Sequence, residues 1–122
     1  MRRGEAPRKK MTISTHVLDV SIGRPAAAVA VQLQRQSAAG WLDVSNGVTD
    51  ADGRVPALFP PSGPAVAGAY RLTFDVGEYF GNRGVESFYA RVSIDFVVRD
   101  SAAHYHVPLL LSPYGYSTYR GS

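Results

Sequence analysis

Short runs of alternating apolar and polar residues follow one another along most of the chain. Such period-two alternation is typical of strands with one buried and one open face. The predicted strands are Thr12–Val20, Val29–Arg35, Trp41–Thr49, Ala69–Asp75, Arg91–Arg99, Tyr105–Leu111 and Tyr114–Arg120. Seven or eight short strands divided by turn residues predict an all-β fold, an antiparallel sandwich of two sheets.

Turn residues set the boundaries of these elements. Twelve glycines and eight prolines, spread through the sequence, leave room for one short helix, predicted at Val76–Asn82 and ended by Gly84. Ile22–Pro25 is predicted as a turn, and the prolines of Phe59–Pro64 predict a loop. Asp50–Gly53 closes the third strand, and a tight turn there suits a positive φ at Gly53.

Composition narrows the class of protein. A chain of 122 residues with 45% hydrophobic and 19% charged residues is one ordinary globular domain. The absence of cysteine excludes disulfide scaffolds, cysteine nucleophiles and zinc ribbons. The longest apolar run, Pro25–Val31, is far shorter than the ~20 residues that a membrane-spanning helix needs.

The net charge of +3 comes from the first ten residues. These contain five Arg or Lys against Glu5, whereas residues 11–122 contain eight Arg and nine acidic residues. We therefore expect a disordered basic tail at 1–10 and a nearly neutral domain at 11–122, with neither nucleic acid nor membrane as a partner. No apolar segment of a secretory signal follows the charges, so the expected location is cytoplasmic.

The three histidines lie in two predicted strands. By alternation, His16 shares a strand face with Leu18, and His104 and His106 share one with Leu110. A single histidine on such a face is usually structural; three of them in two strands shift that balance towards a site without deciding it.

Two rival chemistries fit less well. His104-x-His106 with His16 has the spacing of zinc ligands, but Asp19, the nearest acidic residue, faces the other way. The Gly-x-Ser-x-Gly elbow of serine hydrolases is missing. The histidines then suggest general acid–base work on water or a substrate. Arg54, directly after the Gly53 turn, would alone be an ordinary surface residue.

Three segments together resemble the 5-hydroxyisourate hydrolase family, whose members share the transthyretin fold. They are Ser14-Thr-His-Val-Leu-Asp19 with Gly23-Arg-Pro-Ala26, Thr49-Asp-Ala-Asp-Gly-Arg54, and His104 to Ser122. The similarity spans Met11 to Ser122. The final Tyr119-Arg-Gly-Ser122 is specific, because it separates the hydrolases from the hormone-carrying transthyretins.

The resemblance implies two four-stranded sheets with one short helix, assembled as a homotetramer (a dimer of dimers) with active sites in the channel between dimers. It implies hydrolysis of the small molecule 5-hydroxyisourate to 2-oxo-4-hydroxy-4-carboxy-5-ureidoimidazoline in urate degradation, without cofactor or metal. The alternative is a transthyretin-like carrier without catalysis.

The resemblance also assigns site residues. Catalytic roles fall on His16, Arg54, His106 and Ser122, and substrate contacts on His16, Arg54 and Tyr119. One of the two histidines takes the proton of water, and which one stays open. His104 matches the motif without a role.

Overall fold

The computed structural model describes residues 11–56, 58–59 and 66–122. The predicted tail at 1–10 and most of the predicted loop Phe59–Pro64 lie outside the described residues. Among the described residues, no helix has the length and apolar character needed to cross a membrane.

Two four-stranded sheets and one short helix make up the described part of the chain, which confirms the predicted sandwich. The strands are β1 (Thr12–Asp19), β2 (Arg24–Pro25), β3 (Ala30–Ser37), β4 (Gly40–Val48), β5 (Gly68–Phe74), β6 (Val92–Val98), β7 (His104–Ser112) and β8 (Gly115–Thr118). The helix α1 is Val76–Asn82, as predicted. All seven predicted strands match observed ones within two residues at each end, and β2 occupies the predicted turn.

One strand pair departs from the antiparallel expectation. The sheets have the orders β2-β1-β7-β8 and β4-β3-β5-β6, and β1 and β7 run parallel. The five other pairs between the named strands are antiparallel. Neighbouring strands far apart in sequence need no hairpin, so their relative direction is set by the path of the intervening chain through the second sheet.

The core lies between the two sheets and is built by alternation. Odd-numbered residues of β1 and of β7 are buried, whereas the even-numbered ones are half-buried or exposed, with Pro108 as a buried exception. The largest fully buried side chains include Tyr70, Phe74 and Phe80. Each contributes on the order of 1.5–3 kcal/mol by leaving water. This core leaves the outer face of the β2-β1-β7-β8 sheet free to carry polar chemistry.

A buried carboxylate connects α1 to the end of β1. Asp19 is buried and accepts hydrogen bonds from the Tyr79 hydroxyl (2.7 Å) and from the backbone and side chain of Ser21. Burial, together with the hydrogen bond to Asp19, raises the pKa of Tyr79 to about 12. The helix therefore docks through a polar contact that is shielded from water.

Candidate active site

The parallel pair β1–β7 lines up polar side chains on the outer face of its sheet. The register places Ser14 beside His106, Thr12 beside His104, and His16 beside Pro108. Thr15 and the other buried residues of β1 point into the core. The histidines therefore lie on one outer face, as predicted. The hydroxyl groups of Thr12 and Ser14 lie on the same face, and the sequence analysis did not consider them.

The turn at 50–54 brings Arg54 to this face. The Asp50 carboxylate accepts from the backbone N–H of Arg54 (3.0 Å), and the Asp50 N–H donates to the Arg54 carbonyl (2.8 Å). Arg54 then forms an antiparallel bridge with His16 of β1. The backbone of Arg54 is thus held beside a predicted catalytic histidine.

Glycine is required inside this turn. Gly53 has φ +78°, which confirms the predicted positive φ, and its carbonyl accepts from the Val17 N–H at 2.8 Å. A Cβ here would overlap the Val17 carbonyl oxygen and lie 3.3 Å from Cδ2 of His16. Only glycine lets the turn pack this closely against β1.

The C-terminus completes the face from the other side of β7. Gly121 forms an antiparallel bridge with His106, in the register already set by the pair Leu109–Thr118. Tyr119 lies between these two pairs, outside the assigned strands, and 58% of its surface is exposed. The last residues therefore continue the ladder of β8 past the end of the regular strand.

A cavity of about 530 Å³ opens on this face. Its polar lining includes Ser14, Asp50, Arg54, His104, His106 and Ser122. Three predicted site residues from distant parts of the chain thus meet in one cavity. His16 adjoins it through the bridge to Arg54. Tyr119 instead borders a smaller cavity of about 160 Å³, which it lines together with the core-facing Tyr105 and Val107.

Hydrogen bonds connect the histidines through β1. The Ser14 hydroxyl lies 2.8 Å from Nδ1 of His106 and 3.4 Å from Nε2 of His104, and the Thr12 hydroxyl contacts Nδ1 of His104. The two rings are nearly parallel, with centroids 6.3 Å apart. Ser14 and Thr12 were missed, although the alternation that selected His16 puts them on its face.

The environment favours a neutral His106. Burial lowers its pKa below the ordinary 6.5, and the neighbouring His104, His16 and Arg54 lower it further. At neutral pH the imidazole then has a free lone pair, which is what a general base needs. Among the described residues, no three His, Asp or Glu side chains come together as a metal-ligand group.

Comparison with known proteins identifies the family of this chain. The profile of the HIUase/Transthyretin family matches residues 13–121. The chain belongs to this family. Family membership explains the fold, but the family includes both hydrolases and transthyretins.

The relatives of this chain include both 5-hydroxyisourate hydrolases and transthyretins. The 5-hydroxyisourate hydrolase of Salmonella dublin is 44% identical over 110 residues, covering 90% of this chain and 80% of the relative. The structure of Klebsiella pneumoniae 5-hydroxyisourate hydrolase is 41% identical with a TM-score of 0.80, covering 97% of this chain and 99% of that one. Sea bream transthyretin, solved in complex with thyroxine, is 34% identical with a TM-score of 0.82, covering 89% and 93%. The TM-scores of the two kinds are nearly equal, so side chains must discriminate between them.

Proposed function

We propose that this protein hydrolyses 5-hydroxyisourate to 2-oxo-4-hydroxy-4-carboxy-5-ureidoimidazoline. The observation that carries the proposal is the cavity shared by Arg54, His106 and Ser122. Two relatives more than 40% identical to this chain are named 5-hydroxyisourate hydrolase, which supports the same proposal. Water is the one co-reactant that ring opening needs, so the reaction requires no cofactor.

His106 is the proposed general base. Water attacks the ring carbonyl while His106 takes its proton, and the departing ring nitrogen is protonated in turn. A base in hydrogen-bond reach of the attacking water contributes roughly 10²–10⁴-fold to the rate. The lowered pKa of His106 supports this role, because the ring is ready to accept a proton at neutral pH. His16, beside Arg54, orients the water or protonates the leaving nitrogen.

Arg54 is proposed to hold the substrate. A planar guanidinium donates two parallel hydrogen bonds, which match the adjacent oxygen and nitrogen acceptors of an oxidised purine. Its positive charge also offsets the negative charge that builds on the attacked carbonyl oxygen. Its fixed backbone, held by Asp50 and bridged to His16, supports this role.

The C-terminal residues complete the proposed site. Ser122 lines the cavity and contributes its hydroxyl or its terminal carboxylate. Tyr119 is proposed as a substrate contact. Because Tyr119 does not line this cavity in its own chain, we assign this contact to a site closed by a neighbouring copy.

We further propose a homotetramer, a dimer of dimers, in which two outer faces stack over the sites. Leu18 and Leu110 lie half-buried on this face, and Val20 is exposed beside the end of β1. Burying these apolar groups between copies would also shield the cavity from bulk water. Sedimentation should give a species of four chains. The cytoplasmic location and the separate tail at 1–10 stay predictions.

The decisive experiment follows the substrate optically. Urate oxidase generates 5-hydroxyisourate, and its decay is recorded with and without this protein. We expect a large acceleration, abolished in His106→Ala and retained in Ser93→Ala, a control on the exposed face of β6. An unchanged decay, together with tight binding of thyroxine, would instead favour the carrier function of the transthyretin relative.

A further inference from the structure

We propose that Ser14 and His104 are positioning residues that hold His106 with its proton on Nδ1 and so keep Nε2 free to act as the base. This inference rests on the proposed hydrolysis. It concerns two residues to which the family resemblance gives no role. Both line the cavity, and both act on the reaction through His106.

The geometry around His106 leaves one ring nitrogen for the cavity. Nδ1 is turned to the Ser14 hydroxyl at 2.8 Å. The Cδ2 edge faces Gly121, where an added Cβ would overlap the ring. Nε2, at the tip of the ring, is therefore the nitrogen available to water or substrate. The tautomer decides whether Nε2 offers a lone pair or an N–H group.

The row Thr12–His104–Ser14–His106 permits two directions of hydrogen bonding. Each hydroxyl and each neutral ring has one mobile proton, so fixing one bond fixes the others. In one direction His106 donates from Nδ1 to Ser14, Ser14 donates to Nε2 of His104, and His104 donates from Nδ1 to Thr12. The opposite direction puts an N–H at Nε2 of His106 and removes the base.

The positive charges near His106 favour the first direction, in which His106 carries its proton on Nδ1. Arg54 lines the cavity, can only donate hydrogen bonds, and acts electrostatically on His106, as does His16. An N–H at Nε2 would face this positive potential, whereas a lone pair is stabilised by it. Asp50 also lines the cavity, and its Oδ1 accepts from the backbone N–H groups of Asp52 and Arg54, which ties this carboxylate to the turn rather than to His106.

The hydrogen-bonded row Thr12–His104–Ser14–His106 adds no net proton transfer to the proposed reaction. Nε2 of His106 receives a proton from the attacking water, and the imidazolium keeps donating from Nδ1 to Ser14. The proton then passes to the leaving ring nitrogen, and His106 returns to its starting tautomer. Ser14 and His104 neither gain nor lose a proton over the cycle. They act by keeping the right lone pair in place, as the carboxylate orients the imidazole in a catalytic triad.

The first test reads the tautomer directly. Long-range ¹H–¹⁵N correlation spectra distinguish Nδ1–H from Nε2–H in neutral histidine, and the His106 signals are assigned by their loss in His106→Ala. We expect Nδ1–H in the wild type, a mixture in Ser14→Ala and retention of Nδ1–H in Ser14→Thr, which keeps the hydroxyl. Nε2–H in the wild type, or an unchanged tautomer in Ser14→Ala, would overturn the proposal. This readout stays valid even if 5-hydroxyisourate is not the substrate.

The second test is a double-mutant cycle on kcat. Because a general base is worth roughly 10²–10⁴-fold and Ser14→Ala leaves part of the correct tautomer, we expect kcat to fall about 10-fold, with KM nearly unchanged. His104→Ala should lower kcat at least as much as Ser14→Ala does. Without His104 as its acceptor, the Ser14 hydroxyl is free to donate to Nδ1 of His106, which favours the wrong tautomer.

The double variant separates the proposal from direct substrate contact. If His104 acts through Ser14, then removing it in the Ser14→Ala background changes kcat little. If His104→Ala lowers kcat equally in the wild-type and in the Ser14→Ala background, the proposal is contradicted. Ser93→Ala, on the opposite sheet, is the matched serine control and should leave both kinetic constants unchanged.

Discussion

Gly121 lies so close to the ring of His106 that no side chain fits between them. Its backbone N–H donates to the His106 carbonyl at 2.8 Å, which extends the β7–β8 ladder to the end of the chain. The contact fixes the Cδ2 edge of the ring while Ser14 holds Nδ1 on the other edge. The orientation of the proposed base is thus set by a glycine that has no reactive group of its own.

Gly121→Ala should therefore impair catalysis without unfolding the protein. The new Cβ must displace either the His106 ring or the C-terminus, and a shift of about 1 Å in a catalytic group can cost on the order of 10²-fold. We expect a loss of that order in kcat/KM. Gly115→Ala is the matched control in the same hairpin, because its Cβ would meet only the Ser112 hydroxyl at an ordinary 3.7 Å. Equal kinetics of the two variants would show that the close contact has no catalytic role.

Replacing Arg54 with lysine tests the proposed guanidinium fork. Lysine keeps the positive charge but loses the two parallel N–H donors, and removing one such aligned donor typically costs about 10²–10³-fold. We expect kcat/KM to fall by that factor while the melting temperature stays close to that of the wild type. Arg99→Lys, at an exposed position just after β6, is the control. Near-normal activity of Arg54→Lys would mean that charge alone suffices at this position.

The pH profile of kcat/KM should report the lowered pKa of His106. A base must be unprotonated to act, so activity rises with pH as His106 loses its proton and then levels off. Burial first, and the positive neighbours second, lower this pKa below 6.5, so the midpoint of the acidic limb should lie below 6.5. Activity measured from pH 4 to 8 gives the midpoint. A midpoint above 6.5 would assign the limb to another group.

Alternation in the sequence was sufficient to predict much of this site. It placed His16, His104 and His106 on one face, because side chains in strands alternate whatever their neighbours are. The Asp50–Gly53 turn was equally predictable, since a tight turn has local chemistry. Helix α1 has the predicted bounds, because Gly84 is a local signal for its end; Asp75, which caps its start, was assigned to the preceding strand.

Long-range relationships were not predictable from the pattern. The parallel register that sets Ser14 beside His106 joins residues 92 positions apart, and no local signal encodes it. The two-residue strand β2 was predicted as a turn, because Arg24 and Pro25 have the composition of one and pair only through contact with the end of β1. Ser14 was overlooked because a serine on an open strand face is ordinary until its partner is known.

The buried hydrogen bond between Tyr79 and Asp19 should matter for stability rather than for catalysis. Tyr79→Phe leaves the buried carboxylate without one of its donors, and a hydrogen bond to a charged group is worth about 1.5–3 kcal/mol. We expect the free energy of unfolding, measured in urea, to fall by that amount. Tyr114→Phe removes a similar hydroxyl–carboxylate contact, to Glu86, at a residue that is 63% exposed, and should change stability little. If Tyr79→Phe and Tyr114→Phe lowered the free energy of unfolding equally, burial would not explain the strength of the Tyr79–Asp19 hydrogen bond.

Extending the chain beyond Ser122 should damage the site, because this residue lines the cavity with Arg54 and His106. An added peptide removes the terminal carboxylate and places backbone where substrate would enter. We expect kcat/KM to fall at least about 10-fold, in keeping with the loss of one positioned polar group. The same peptide fused before Met1 is the control and should leave activity unchanged. Ser122→Ala separates the two groups: full activity there, with loss in the extended chain, would assign the role to the carboxylate. Full activity of the extended chain would exclude both groups from the reaction.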